Sequence, residues 1–334
     1  MRIVVKIVTF SLAFGGIFAI QQPTNAIGLD EPGSVQSSSS AAANPYGSAQ
    51  TRSLDRREWT PERMRQAIPA DLLEPNILAK PSPGSPTFSQ DEPKVLSYPL
   101  APKASSTFSA APQQRTAAPV PRTVGRLFFT NSDGVDRSCS GSTINNKNGN
   151  LVMTAGHCVH GGKGKGWSRN IVFVPAYYNG SRPLGTWYYQ DVVTFSAWIN
   201  DSDFYYDQAM VKMAPNAQGR NIISVAGGNG LVSGNSTVQP NTRIWGYPAD
   251  QPYNGQRPYY CDGDTNTYAF NANDSAMNCD MTGGASGGPW LKDRVNDNLG
   301  YVYAVTSRRT YYGRPLLLAA PNSSAVWNLY NFWP

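Results

Sequence analysis

Two short stretches, Thr154-Ala155-Gly156-His157-Cys158 and Gly283-Gly284-Ala285-Ser286-Gly287-Gly288-Pro289, decide how this chain is interpreted. The glycines around Ser286 let the backbone turn tightly, so that the serine hydroxyl is exposed. The same turn would direct the backbone N–H groups of Gly284 and Ser286 toward one point, where they would stabilise an oxyanion. Taken alone, the second stretch is also compatible with a glycine-rich loop that holds an incidental serine.

His157 supplies the group that such a serine requires, because a hydroxyl is a weak nucleophile until a neighbouring imidazole accepts its proton. The alternatives are a structural histidine, or a His-x-x-His metal pair formed with His160. The chain contains only two histidines and offers no evident third ligand. We therefore expect no metal and no cofactor.

A carboxylate is needed to orient the imidazole, and the chain must supply it between the two motifs. The candidates are Asp191, Asp201, Asp203 and Asp207. We choose Asp207 because it directly precedes the alternating run 208–213, which predicts a strand that enters the core. Asp203 is the second choice. The surroundings of Asp191, Asp201 and Asp203 are all typical of solvated loops.

The N-terminus has the organisation of a signal peptide. Arg2 and Lys6 precede an apolar stretch from Ile7 to Ile20, and Ala26 is the small residue expected at a cleavage site. A transmembrane anchor is the alternative, but the stretch is shorter than the roughly 20 apolar residues of a span. We expect residues 1–26 to be removed and the product to be secreted to the extracellular space, with no stable membrane association afterwards.

The chain contains four cysteines, and an exported chain normally pairs its thiols. Three connectivities exist for four cysteines. Cys139 with Cys158, and Cys261 with Cys279, is the simplest choice, because each pair closes a short local loop. A zinc site is the alternative, but the short Cys-x-x-Cys spacing is missing.

Residues 27–122 are rich in Ser, Ala, Pro and Gln and offer little that could form a core, so we expect a mostly disordered segment. A short helix near 60–68 is the exception, with Thr60 as its N-cap, Pro61 at its first position and a stop near Pro69. A helical island in such a tract suits a pro-segment, and a simple linker is the alternative.

From residue 123 to 334 the pattern is all-β. Short β-prone runs such as 151–154, 170–174, 242–245 and 301–306 are separated by Gly, Asn and Pro clusters, which favours barrels or a sandwich over a parallel sheet. The C-terminus predicts a helix, capped by Ser323 or Ser324, whose apolar face docks on the core through residues at helical spacing: Val326, Leu329, Tyr330 and Trp333.

The motifs around His157, Asp207 and Ser286 resemble TAxHC, a strand-leading Asp-x-Ala and GxSGGP of the trypsin and chymotrypsin family of serine peptidases, in that chain order. The resemblance covers about 124–334 and implies two antiparallel six-stranded β-barrels with the triad at their junction. It also implies hydrolysis of polypeptide substrates through an acyl-enzyme. Further stretches resemble the bacterial-type branch that includes the glutamyl endopeptidases, namely 124–129, 139–142 and 246–248.

Ala285 departs from the family pattern, because trypsins carry there an aspartate that pairs with the newly freed N-terminus. If the precursor is latent, the pro-segment must cover or distort the site, or the new N-terminus must act elsewhere. We expect cleavage near Arg122-Thr123, where the composition changes. N-terminal sequencing of the secreted protein locates this cut.

The pocket predicted from the resemblance contains Asp280, Thr306 and Ser307. Asp280 lies six residues before Ser286, where trypsins keep the acid that binds Lys or Arg, and this weakly favours a basic side chain before the scissile bond. The histidine that glutamyl endopeptidases use is missing. The adjacent 308–309 pair of arginines would neutralise Asp280 or attract an acidic side chain instead.

The net charge of +6 and the pI near 9.1 do not indicate a nucleic-acid partner, since the basic residues are scattered and only 15% of residues are charged. We expect a monomer that acts on polypeptides.

A catalytically inactive binding module of the same fold is one alternative to this function. An esterase with a similar serine turn is another, but those enzymes have their histidine last and many helices.

Overall fold

The computed structural model describes residues 33–41, 58–71, 92–102, 120–310 and 313–333. The predicted signal peptide, residues 1–26, lies outside the described residues. Among the helices that the structure describes, none has the length and apolar character needed to cross a membrane.

Eighteen strands and five short helices make up the described part of the chain. The strands of the first half are β1 (Val35–Ser37), β2 (Ile68–Pro69), β3 (Lys94–Ser97), β4 (Val124–Thr130), β5 (Asp136–Ile144), β6 (Leu151–Thr154), β7 (Arg169–Pro175), β8 (Trp187–Phe195) and β9 (Ala209–Met213). Those of the second half are β10 (Gly230–Ser233), β11 (Thr242–Gly246), β12 (Tyr259–Gly263), β13 (Asn266–Tyr268), β14 (Asn271–Asn278), β15 (Pro289–Asn296), β16 (Leu299–Val305), β17 (Arg308–Arg309) and β18 (Leu316–Ala319). The helices are α1 (Ser38–Ala41), α2 (Pro61–Gln66), α3 (Ser196–Asp201), α4 (Ile222–Ala226) and α5 (Val326–Tyr330).

The first half is a closed antiparallel barrel. Its strand order is β8-β7-β4-β5-β6-β9, and β9 also pairs with β8, which completes the cycle. Alternation along β4 explains how the barrel joins the second half: Leu127 and Phe129 pack inside the barrel, whereas Phe128 packs outward against a second apolar cluster. Both faces of β4 are therefore buried.

The second half consists of two sheets around one apolar cluster. One sheet has the order β12-β11-β15-β16-β10-β3 and the other has the order β13-β14-β18-β17. Their shared cluster includes Ile244, Met277, Trp290, Tyr303 and Leu317. The all-β fold predicted from the sequence is confirmed, with the first barrel closed and the second half formed from two sheets instead of a single hydrogen-bonded cycle.

Three stretches of the predicted pro-segment are ordered parts of this fold. Strand β1 pairs with β8 and β3 pairs with β10, both antiparallel, whereas β2 runs parallel to β5. The predicted helix is present as α2, and the Thr60 Oγ1 accepts a hydrogen bond from the Arg63 N–H at 3.2 Å. Composition alone did not predict that these stretches would add strands to the sheets.

The segment around α2 is fixed by buried apolar side chains. Trp59 is only 1% exposed and lies 5.5 Å from Phe128 between ring centroids, while Met64 is completely buried. The Arg63 guanidinium covers the Trp59 ring at 4.0 Å and pairs with Asp136 at 2.7 Å. Residues of the predicted pro-segment thus contribute side chains to the main core.

The C-terminal helix α5 docks through the face that its spacing predicted, since Val326 and Leu329 are fully buried. The predicted cap differs, because the N-cap residue is Ala325 and no side chain caps the helix. The carbonyl groups of Ser323 and Ser324 accept the first backbone hydrogen bonds instead.

We expect Trp59→Ala to lower the unfolding free energy of the precursor by about 3–5 kcal/mol, because it leaves a cavity against Phe128. The matched control is Trp327→Ala, whose side chain is 47% exposed, and its cost should stay below about 1 kcal/mol. Denaturant unfolding of the full chain measures both values. Equal costs for the two variants would show that Trp59 does not anchor the segment.

Candidate active site

His157 lies in a short 3₁₀ turn, Gly156–Cys158, directly after β6. The disulfide between Cys139 and Cys158 ties this turn to β5. The second expected disulfide, Cys261 with Cys279, is also present. The first bond therefore fixes the backbone on one side of the imidazole.

Asp207 holds the histidine from behind. Its side chain is 1% exposed and accepts hydrogen bonds from the His157 backbone N–H at 2.8 Å and from the His157 Nδ1 at 2.9 Å. The Ser307 hydroxyl donates a third bond to this carboxylate at 2.6 Å. With Nδ1–H facing the carboxylate, Nε2 is left as the basic atom of the ring.

The other three carboxylates do not contact His157. Asp203 caps the turn 204–206 by accepting from the Tyr205 N–H, and burial raises its pKa. Asp201 is exposed, in keeping with the prediction. The expectation of a solvated loop is wrong for Asp191, which lies in β8, is 8% exposed and accepts hydrogen bonds from partners far away in sequence: Ser38, Ser39 and Trp333.

The serine turn depends on two glycines with left-handed backbone. Gly284 has a φ of +94° and Gly287 a φ of +78°. A Cβ at Gly284 would lie 2.7 Å from the Tyr247 carbonyl oxygen. Ser140 on β5 braces the turn, since its hydroxyl donates to the Gly284 carbonyl and its N–H donates to the Ser286 carbonyl.

One peptide carbonyl lies directly at Ser286. The Ala70 oxygen accepts a hydrogen bond from the Ser286 hydroxyl at 3.2 Å and another from the Gly284 N–H at 3.1 Å. The Gly284 N–H is one of the two donors expected to stabilise an oxyanion. The predicted pro-segment therefore places one peptide carbonyl within hydrogen-bond distance of both groups.

The imidazole faces the same space. His157 Nε2 is buried and has no hydrogen-bond partner within the described part of the chain. His157, Ala70 and Asp71 line a common groove of about 200 Å³, whose rim includes Arg137 and Lys165. His157 and Ala70 thus line one groove, and the Ser286 hydroxyl donates to the Ala70 carbonyl.

The three predicted pocket residues lie in different surroundings. Ser307 is 1% exposed and donates to Asp207, and Thr306 is 2% exposed and accepts from the Trp290 Nε1. Asp280 is exposed and accepts a hydrogen bond from the Tyr253 hydroxyl at 2.9 Å. The structure therefore brings Ser307 to Asp207, whereas the described partner of Asp280 is Tyr253.

Sequence reasoning missed Ala70, Asp71 and the role of Ser140. No local pattern marks them, because their importance comes from contacts with residues far along the chain. Ser307 was assigned to the pocket, and its hydrogen bond to Asp207 is visible only in three dimensions.

A metal site does not fit the residues around His157. Cys139, Cys158 and His157 present ligand atoms within 4.8 Å of one another. Both sulfurs are committed to the disulfide, so neither is available as a thiolate ligand. His160 Nδ1 accepts from the Gly162 N–H and is likewise committed.

Solved structures with the same architecture are serine proteases. The crystal structure of a thermostable serine protease AL20 from an extremophilic microorganism has a TM-score of 0.59 and 29% identity, covering 64% of this chain and 96% of that one. Protease Anisep from Arthrobacter nicotinovorans has a TM-score of 0.59 and 30% identity, covering 64% of this chain and 97% of Anisep. The chain belongs to the chymotrypsin-like family of serine proteases.

Within the chymotrypsin-like family, a Glu endopeptidase structure also matches, with 18% identity and a TM-score of 0.49, but this is too distant to carry an argument. No protein-family model matches the chain. An extracellular metalloprotease of Bacillus subtilis (strain 168) is 28% identical over 115 residues, and the match spans only about a third of each protein, 34% in both cases.

His160, the second histidine, predicts a pH effect on stability. Burial lowers its pKa to about 4, whereas an unfolded histidine titrates near 6.5. As the pH falls, the unfolded chain binds the proton first, so this residue removes stability between about pH 6.5 and pH 4 and has no effect above that range.

We expect His160→Asn to remove that share of the acid destabilisation, because asparagine keeps an acceptor near the Gly162 N–H but does not titrate. The urea midpoint, measured from about pH 7.5 to about pH 4.5, should fall less steeply than in the unmodified protein. Parallel pH curves for the two proteins would rule out this assignment.

Proposed function

We propose that this chain is a secreted serine endopeptidase, made as a precursor, that hydrolyses polypeptides with Ser286, His157 and Asp207 as its triad. The observation that carries the proposal is the Ala70 carbonyl, which is bound by the Ser286 hydroxyl and the Gly284 N–H together. A site that already binds one peptide carbonyl in this way is built for acyl transfer.

The mechanism follows from the placement of these groups. Ser286 Oγ attacks the carbonyl carbon while His157 Nε2 takes the hydroxyl proton, and the resulting oxyanion is held by Gly284. The tetrahedral intermediate collapses, the peptide C–N bond breaks and His157 returns the proton to the leaving amine. Water then repeats the sequence, releases the acid product and restores the serine. Asp207 fixes the tautomer and stabilises the imidazolium.

Precursor synthesis has its own support. The pro-segment covers the site with Ala70, so a substrate carbonyl cannot bind there until the segment leaves. Ala285 is buried and carries no charge, so a freed N-terminus has no carboxylate to pair with at that position. Cleavage near Arg122-Thr123 remains our proposal for how the covalent link is cut.

Secretion is supported by the disulfides Cys139–Cys158 and Cys261–Cys279, which suit an oxidising compartment. The extracellular relative in Bacillus subtilis is compatible with secretion.

The inactive-module alternative has no supporting observation, because the histidine, carboxylate and serine are all present and the first two are hydrogen-bonded. A basic preference rested on Asp280, whose exposed position gives it no support.

Ser286→Ala should abolish covalent labelling of the processed, secreted protein by an organophosphate, because the attacking oxygen is lost. Ser224→Ala is the matched control, since Ser224 is exposed and its hydroxyl bonds only to the Asn221 carbonyl. Intact-protein mass spectrometry reads the label. Full labelling of the Ser286→Ala protein would refute the assignment of the nucleophile.

Asp207→Asn should lower kcat by about four orders of magnitude with the fold retained, because the amide no longer enforces the tautomer or stabilises the imidazolium. Steady-state hydrolysis of a peptide substrate measures the loss, and circular dichroism checks the fold. A near-normal rate in this variant would transfer the role to another carboxylate, with Asp203 the first to test.

A further inference from the structure

Asp71, the residue after Ala70, is bound by Arg309. The Arg309 Nη2 lies 2.7 Å from Asp71 Oδ2, and the Arg309 Nε lies 3.0 Å from Oδ2 and 3.2 Å from Oδ1. Their side chains are 24% and 20% exposed, so the pair is largely withdrawn from solvent. Paired contacts of this kind are the geometry by which arginine recognises carboxylates. This contact lies one residue from the carbonyl at Ser286.

The two arginines of β17 have different partners, and only Arg309 binds Asp71. On β17 the two arginines point to opposite faces. Arg308 is 2% exposed, forms a buried ion pair with Asp274 and lies over the Phe204 ring at 4.4 Å. Arg308 is therefore part of the core, whereas Arg309 faces the cleft.

Gly283 lies beside Asp71 and leaves space for its side chain. A Cβ at Gly283 would lie 2.9 Å from the Asp71 Cβ, so the missing side chain of Gly283 leaves room for Asp71. Asp250 is the other charged group close by. Burial raises its pKa, the Asp71 carboxylate adds to the rise, and Arg309 opposes it. Arg309 thus contacts the carboxylate of Asp71 and acts electrostatically on that of Asp250.

We propose that Arg309 forms a carboxylate-binding subsite that selects substrates with an acidic residue before the scissile bond, and that Asp71 fills this subsite in the precursor. The inference rests on the proposed endopeptidase function and names its substrate class. Arg309 lies two residues after Ser307, in the stretch that, by resemblance, receives the side chain before the scissile bond.

The direction of the pro-segment explains why it can bind there without being a normal substrate. In a substrate, the residue that supplies the attacked carbonyl also supplies the side chain in the pocket. In the pro-segment the carbonyl at Ser286 belongs to Ala70, but the side chain at Arg309 belongs to the following residue, Asp71. The parallel pairing of β2 with β5 gives the chain this direction. The subsite is occupied while the peptide runs through the cleft in reverse.

The test compares two peptide substrates that differ only by Glu or Gln before the cleaved bond. For the processed enzyme we expect kcat/KM to be about 10- to 100-fold higher with Glu, because Gln leaves the guanidinium without its charge partner. Arg309→Gln should remove that preference. The matched control, Arg314→Gln, should keep it, since Arg314 is exposed and donates to Asn278 instead.

The outcomes separate the subsite from the activity. Equal rates on Glu and Gln peptides in the unmodified enzyme, or an unchanged preference in Arg309→Gln, would overturn the subsite while the endopeptidase stands. If the unmodified, processed protein cleaves neither peptide and is not labelled by an organophosphate, the proposed function fails first.

A second variant keeps the test independent of how Arg309→Gln folds. Asp71→Asn in the full-length precursor weakens the contact from the pro-segment side. We expect organophosphate labelling of Ser286 in that precursor to be faster than in the unmodified precursor by about 10-fold or more. Identical labelling rates would show that Arg309 does not hold Asp71 as a ligand.

Discussion

The buried Asp207 carboxylate is the interaction on which the rest of this site depends. A carboxylate removed from water is stable only when hydrogen bonds replace its hydration. Asp207 receives two from His157 in the first barrel and one from Ser307 in the second half. The same group therefore orients the imidazole and joins the two halves of the fold at the point where they meet.

Ser140 makes a second connection of this kind. Its hydroxyl donates to the Gly284 carbonyl and accepts from the Tyr247 N–H, so a residue of β5 in the barrel holds backbone of the second half. The turn around Ser286 cannot hold its own shape through side chains, because most of its residues are glycine. Its geometry is imposed by neighbouring strands, and this is why the hydroxyl and the Gly284 N–H can meet one oxygen.

The sequence marks most clearly those groups whose surroundings are determined by neighbouring residues. The serine turn is encoded by glycines at required backbone angles, and Asp207 is identified by the strand that follows it.

Asp191 was misjudged because the partners that bury it, Ser38, Ser39 and Trp333, are more than 140 residues away. The pocket role predicted for Asp280 came from counting back from Ser286 along the chain, whereas its exposure and its hydrogen bond from Tyr253 depend on the folded backbone. Composition likewise described the first third as weakly cored, yet the core that Trp59 and Met64 join is supplied by another part of the chain.

The buried Trp59 anchor changes what a cut in the linker can achieve. The proposed cleavage near residue 122 would break a covalent bond, but it would remove none of the contacts of Trp59, Ala70 or Asp71. It converts a tethered segment, present at an effective concentration on the order of millimolar, into a separate ligand that must compete by ordinary mass action. In the proposed precursor, activity after the cut would therefore depend on dilution of the liberated fragment or on its destruction, so a confined space and an open medium would set different thresholds for switching the enzyme on.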